Sequence, residues 1–290
     1  MKLPTVTIKQ LLEAGVHLGH KTFRWNPKMG KYIFGSKNSI HIIDLVQTLE
    51  LTNAALHEIY KCITAGGKIL FVSTKKQAAE TISKLAIETG QYHVTHRWLG
   101  GMLTNWKTIS NSIKRYKKLS AELKKDNTGF TKKENLKLGI QRDKLERSLG
   151  GIADMKKIPE MIFIIDVNVE SLAVKEAIKL NIPIVGIIDT NSDPTGINFP
   201  IPGNDDARRA INLYCELVKQ TILDAQKNIP SKDSDEANAD KQAELPKSKA
   251  TSEPADDNKS KNVEPKKKTN IVKKKTKSII SKIKSLASKK

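Results

Sequence analysis

MIFIID, residues 161–166, decides the fold of this chain. Five consecutive apolar residues leave no polar face, so a strand made of them must be covered on both sides, and the run is too short for a helix. Asp166 ends it, and the spacing predicts a helix over residues 171–180. The same signature recurs outward from this point. ILFV at 69–72 precedes a helix ending at Gly90, YHVT at 92–95 is a shorter strand, and PIVGII at 183–188 ends in Asp189. Apolar strands alternating with helices predict a parallel sheet with helices on both faces, a three-layer α/β domain. Functional loops of such sheets lie at the carboxyl ends of the strands, which puts residues 73–76, 96–101, 166–168 and 189–194 on one edge.

Thr7 and Gln10 form a capping box ahead of Ile8, Leu11 and Leu12, with Gly15 as the stop, so a short helix opens the chain. Residues 31–34 and 39–43 read as two strands around a Gly-Ser-Lys-Asn turn. Asp44 starts a second helix, whose Leu45, Leu49, Leu56, Ile59 and Ile63 form one face until Gly66-Gly67. Residues 104–151 interrupt the strand–helix alternation. Ile109, Ile113, Tyr116 and Leu123 follow helical spacing, as do Leu138, Leu145, Leu149 and Ile152, with a turn at 126–129 and a second capping box from Thr131 to Glu134. This predicts an antiparallel helical hairpin whose narrow seams suit a projecting coiled coil. HRWLGGMLTNW (96–106) joins it to the sheet: Trp98 and Trp106 are expected to lock its root into the core, with Arg97 facing RNA or the edge loops. Residues 191–206, rich in Pro, Gly and Asp, are expected to be irregular before a last helix over 207–227.

Lys and Arg number 51 against 31 Asp and Glu, a net charge of +20. From Lys227 onward there are 18 lysines and 9 acidic residues, so the preceding part is basic in its own right. That suits a polyanionic partner: RNA, DNA or an anionic membrane surface. Cys62 and Cys215 sit at apolar helical positions and read as buried, reduced thiols of a cytosolic protein. The N-terminus lacks a signal-peptide pattern and no run of about 18 apolar residues occurs, so a soluble protein without stable membrane association is expected. The expected division is an α/β domain over 1–228 and a disordered, Lys-rich tail over 229–290. Ile279, Ile280, Ile283 and Leu286 recur among the lysines at helical spacing, suiting a helix formed on contact with RNA or membrane.

The α/β pattern invites an enzyme reading, but the turn after Val72 is Ser-Thr-Lys-Lys-Gln, without the glycines of a phosphate-binding loop, and no GxSxG elbow occurs. His17 and His20, with Asp189 and Asp205 from the edge loops, are candidate ligands for a structural divalent ion such as zinc or magnesium, although a His pair at that spacing without a Cys partner is more often structural.

Four long stretches carry a family resemblance: GVHLGHKTFRWNPKMGKYIFGSKNSIHIIDL (15–45), HRWLGGMLTNWKT (96–108), SLGGIADMKKIPEMIFIID (148–166) and IPIVGIIDTNSDPTGINFPIPGNDDA (182–207). Together, over about residues 8–225, they closely resemble the bacterial type of ribosomal small-subunit protein two. The resemblance implies a flavodoxin-like α/β domain with a protruding coiled-coil hairpin. It also implies a cytoplasmic, non-enzymatic constituent of the small ribosomal subunit, bound to its ribosomal RNA and helping to dock the large messenger-binding protein. No cofactor is required, though in some members a metal ion lies near the His and Asp positions just named. The tail after residue 228 departs from the family pattern. RNA contacts are expected from Arg24, Lys28, Lys31, Lys75, Lys76 and Arg97 to phosphates, with Lys114, Arg115, Lys117 and Lys118 of the hairpin as a second set and Trp25 stacking on a base. Two other classes remain open: an α/β enzyme acting on a phosphorylated small molecule through residues 73–76, and a membrane-surface adaptor acting through the tail.

Overall fold

The computed structural model describes residues 4–124 and 131–228. The expected tail, its terminal amphipathic stretch and the hairpin turn at 126–129 lie outside them. The elements run α1 (Ile8–Ala14), β1 (Leu18–Lys21), β2 (Ile33–Lys37), β3 (Ile40–Ile43), α2 (Leu45–Thr64), β4 (Ile69–Val72), α3 (Lys76–Thr89), β5 (Tyr92–Val94), α4 (Trp106–Leu123), α5 (Lys132–Leu149), β6 (Met161–Ile165), α6 (Ser171–Lys179), β7 (Ile184–Ile188), β8 (Phe199–Pro202) and α7 (Arg208–Lys227).

Five strands form one parallel sheet in the order β5-β4-β6-β7-β8. Numbered within the sheet this is 2-1-3-4-5, the flavodoxin-like winding, whose strand order reverses between β4 and β6. The central strands are buried residue by residue because each face meets helices. Phe71 and Phe163, ring centroids 5.5 Å apart, face the side covered by α2, α3 and α7. Leu70, Val72, Ile162 and Ile164 face the other side, with Ala173, Val174 and Ala177 of α6 and Ile109, Ile113 and Leu149 from the root of α4 and α5. That start of α4 and end of α5 share one cluster, so the two helices run antiparallel along each other.

The strand β8, FPIP, departs from the expected irregular stretch. Its two prolines argue against a central strand, but β8 pairs only with β7 and occupies the sheet's edge, where a missing N–H is tolerated. A second difference lies near the N-terminus. Leu18–Lys21 forms β1, antiparallel to β3, giving a separate three-stranded sheet in the order β1-β3-β2. The β2–β3 turn is made by Asn38 and Ser39, both left-handed at φ 53° and 61°, so it falls later than the expected Gly-Ser-Lys-Asn. The capping boxes at Thr7 and Thr131 and the left-handed Gly15 stop of α1 are present.

Candidate nucleic-acid interface

The carboxyl ends of β4, β6, β7 and β8 deliver polar side chains to one place. Lys75, at the start of α3, puts Nζ 2.8 Å from Asp166 Oδ2, 2.7 Å from Asp205 Oδ1 and 2.7 Å from Asp206 Oδ1. Burial works against the ammonium, but the surrounding carboxylates, Asp205 first, hold its proton more firmly than usual. Asp205 is fully buried, and burial, followed by repulsion from Asp166 and Asp189, pushes its carboxyl up to about 7 against the opposing pull of Lys75. Asp166 sits at φ 66° and caps its own turn by accepting from the N–H groups of Asn168 and Val169. His20 Nδ1 lies 2.9 Å from Asp189 Oδ2, and that hydrogen bond raises the imidazole's affinity for a proton despite partial burial.

This arrangement bears on the expected ion site. Residues 18–21 are an extended strand rather than a helix end, so the i, i+3 spacing of His17 and His20 does not aim both rings the same way. His17 Nδ1 is buried without a hydrogen-bond partner, and Asp205 meets the Lys75 ammonium on one oxygen while its Oδ2 has none. Among the described residues no group of three or more His, Cys, Asp or Glu is placed to hold a metal. Lys75 stands as the cation among the carboxylates. Three carboxylates take up the three donors of Lys75, which the sequence reading offers to RNA, and only 15% of the side chain is exposed.

The N-terminal sheet lies over this edge. Gly19 makes that possible, because a Cβ there would fall 2.5 Å from Thr190 Cγ2. His20 N–H donates to Thr190 Oγ1 at 2.9 Å and Asn26 N–H to Thr190 O at 2.8 Å. In the passage from Phe23 to Lys31, Met29 is buried and Phe23, Arg24, Trp25, Lys28 and Lys31 are exposed. Arg24 is exposed over Phe23, its Cζ 5.5 Å from the ring centroid, and Phe23 itself is 74% exposed. Trp25 leans on His41 with centroids 5.4 Å apart and keeps 42% of its surface in solvent. Lys31 lies 4.6 Å above Tyr32. Lys28 is paired with Asp193 at 2.7 Å, and that ammonium, with Thr195, pulls Asp193 down to about 2.

The 96–106 loop is organised by a residue the sequence reading passed over. Glu176 of α6 accepts from Trp98 Nε1 at 3.1 Å, from the N–H groups of Gly101, Leu103 and Thr104 at 2.8, 3.0 and 3.1 Å, and from Thr104 Oγ1 at 3.2 Å. Burial opposes its charge, yet the donors from Thr104, Leu103, Trp98 and Gly101 outweigh it and hold the carboxyl below the ordinary glutamate range. Trp98 is the buried anchor, whereas Trp106 is only half-buried. Arg97 and Lys76 are exposed, as are Lys114 and Arg115; Lys117 pairs with Asp154 at 2.9 Å and Lys118 with Glu122 at 3.8 Å.

The sequence matches the family described as ribosomal protein S2 over residues 11–225, from within α1 to near the end of α7. The chain belongs to the ribosomal protein S2 family. Among its relatives are proteins named small ribosomal subunit protein uS2. Those of Granulibacter bethesdensis (56% identity), Gluconacetobacter diazotrophicus (57%) and Bartonella henselae (57%) each align over 224 residues. The alignments cover 77% of this chain and 87%, 86% and 87% of those proteins. In this S2-family chain the edge that holds ligands in other doubly wound sheets is closed by ion pairs, while the outward-facing strip and hairpin present cations and aromatics. Asp166 was placed on the functional edge but not paired with Lys75, and Glu176 was missed altogether, because an acidic residue after a strand or within an amphipathic helix carries no local mark of its distant partners.

Proposed function

We infer that this chain is a structural constituent of the small ribosomal subunit, working by contact with ribosomal RNA and with neighbouring proteins rather than by catalysis. Family membership over residues 11–225 carries this reading. The S2 family is one of structural ribosomal proteins, so neither the enzyme nor the membrane-adaptor alternative is kept. No helix among the described residues is long and apolar enough to cross a membrane. The RNA face is assigned to Arg24, Trp25, Lys31, Lys76 and Arg97, with Lys114 and Arg115 beside them. Lys28, Lys117 and Lys118 join by exchanging exposed carboxylate partners for phosphates, since surface ion pairs contribute only about 0–1 kcal/mol. Arg24 over Phe23 and the open face of Trp25 support stacking on unpaired bases, and the lysines support sequence-independent phosphate contact. The α4–α5 hairpin acts as a coiled-coil arm, and docking of the large messenger-binding protein belongs to the same reading. No cofactor enters it.

Sucrose-gradient sedimentation of tagged chain tests the assignment. Comigration with small subunits at moderate salt is expected, and charge reversal at Arg24, Lys31 and Arg97 together should reduce it. Unchanged incorporation of that triple variant refutes the RNA face; absence of comigration in the unmodified chain refutes the ribosomal reading.

A further inference from the structure

Two hollows of about 600 Å³ each lie against the last turns of α5. One reaches to the start of α3 and the end of β5, the other to the 96–101 loop, and both are lined by His96, Arg147 and Ser148, so they form one groove. Each has the size of a small-ligand site, about 300–1,000 Å³. Lys76 lines the first hollow, Arg97 and Lys144 line the second, and Arg147 stands between them.

The charges in the groove are unbalanced. Its two acids, Asp143 and Glu146, are both engaged by Arg142, at 2.5 Å and 3.9 Å, a residue that does not line it. Lys76, Arg97, Lys144 and Arg147 have no carboxylate within ion-pair distance among the described residues, unlike Lys117 and Lys118 further along the hairpin. The start of α3 beside the first hollow has no side-chain cap, which adds the partial positive charge of a helix N-terminus to the same side. The second hollow has an apolar wall in Leu99 and Ile140, the latter 60% exposed on a helix otherwise rich in charge.

We propose that this groove holds a single-stranded RNA segment, with backbone phosphates on Lys76, Arg97, Lys144 and Arg147 and an unpaired base in each hollow. The proposal rests on the reading of the chain as an RNA-binding ribosomal protein and adds to it a site and a class of RNA. Four unpaired cations distributed over two joined hollows match successive phosphates of a strand better than the single phosphate of a mononucleotide. A duplex does not fit, because A-form RNA offers a wide shallow groove and a narrow deep one, neither of which enters a concave cleft.

The test is fluorescence anisotropy of the full chain with a short labelled oligouridylate, over a salt series, against a duplex RNA of matching length. Lys144→Gln with Arg147→Gln should weaken single-strand binding and flatten the plot of log affinity against log salt by about 1.4, two contacts at roughly 0.7 each. Ser148→Trp places an indole where the hollows join, keeps the charge, and should weaken single-strand binding several-fold while sparing the duplex. If it also lowers the melting temperature, the glutamine pair, both exposed positions, decides alone. Unchanged single-strand affinity and salt slope in the glutamine pair overturn the proposal. So does displacement of the oligomer by free AMP at equal nucleotide concentration, which marks a mononucleotide site. Sedimentation of the same variants keeps the two readings apart: unchanged oligomer binding with continued comigration refutes the groove alone, whereas failure of the unmodified chain to comigrate refutes the ribosomal role.

Discussion

Replacing Glu176 by alanine removes one carboxylate that accepts five hydrogen bonds from a loop with little periodic structure of its own. The two donors on Thr104 are exposed and turn to water at little cost. The Trp98 indole and the Gly101 and Leu103 N–H groups are partly buried and lose their acceptor, at about 1–1.5 kcal/mol each, which gives a destabilisation of about 3–4.5 kcal/mol. For a domain of this length each kcal/mol moves the melting temperature by about 2–4 °C, so differential scanning fluorimetry should show a fall of roughly 6–18 °C. Glu176→Gln keeps one acceptor oxygen and turns an NH₂ toward the remaining donors, so an intermediate loss is expected. The pH dependence follows from the carboxyl being held below its ordinary value of 4.5. A depressed folded-state value means that the contribution is fully present above 4.5 and is lost as pH falls through the lower folded value. The gap between parent and Glu176→Ala should therefore be constant from pH 7 to 5 and close only in stronger acid. A Glu176→Ala chain that melts within a degree of the parent at pH 7 refutes the clamp.

Lys75→Met leaves Asp166, Asp205 and Asp206 facing one another without a cation and should cost about 3–5 kcal/mol in urea unfolding, whereas an exposed lysine with a purely RNA-binding role would cost nothing measurable. Asp205 and His20 both have raised folded-state values, so their contributions are full at low pH and decline as pH rises, for Asp205 between its ordinary value of 3.8 and about 7; Asp205→Asn should flatten the fall in melting temperature over that range. Gly151→Ala puts a Cβ 2.1 Å from the carbonyl oxygen of His93 and should destabilise by about 1–3 kcal/mol or more, while Gly150→Ala, which meets only Glu146 Cγ at 3.6 Å, should be near neutral. Trp98→Ala should cost about 3–5 kcal/mol and Trp106→Ala clearly less, because Trp98 is 6% exposed and Trp106 half-buried; equal losses in thermal unfolding would contradict that ranking.

The sheet was legible because its strands are short, wholly apolar and punctuated, a pattern that only a doubly covered parallel strand satisfies. Helix starts were legible where a side chain caps locally, as Thr7 and Thr131 do. The strands that escaped were those whose reason lies elsewhere in the chain. Leu18–Lys21 has no alternation and is extended because β3 pairs with it and Thr190 receives it. Phe199–Pro202 carries two prolines that a strand tolerates only at a sheet's edge, and which strand takes the edge is a fact of topology. The candidate site divided the same way. Exposure of Arg24, Lys76 and Arg97 was inferable from their loops, but the fate of Lys75 was not. Adjacent lysines in one turn end up in opposite surroundings because one lies toward the carboxylates of two other loops and the next toward solvent.

That division explains how a fold shaped to hold small ligands serves as a building block. The crevice of a 2-1-3-4-5 sheet opens where the strand order reverses, here between β4 and β6. The residue after β4 that would face a ligand's phosphate is Lys75, and the residue that ends β6 is Asp166; at 2.8 Å they close the crevice on each other. Asp205 and Asp206, after β8, complete the closure, and His20 with Asp189 fastens the N-terminal sheet over it. A ligand entering there would have to displace a partly buried ammonium from three carboxylates, leaving charges uncompensated at about 3–5 kcal/mol or more. The exposed cations lie instead around the crevice, on the strip held out by Gly19 and Thr190 and in the groove at the hairpin's root. Reopening the crevice with Lys75→Ala should therefore yield a less stable S2-family chain, and not one with new affinity for phosphates, because the cation that would bind them is the one removed.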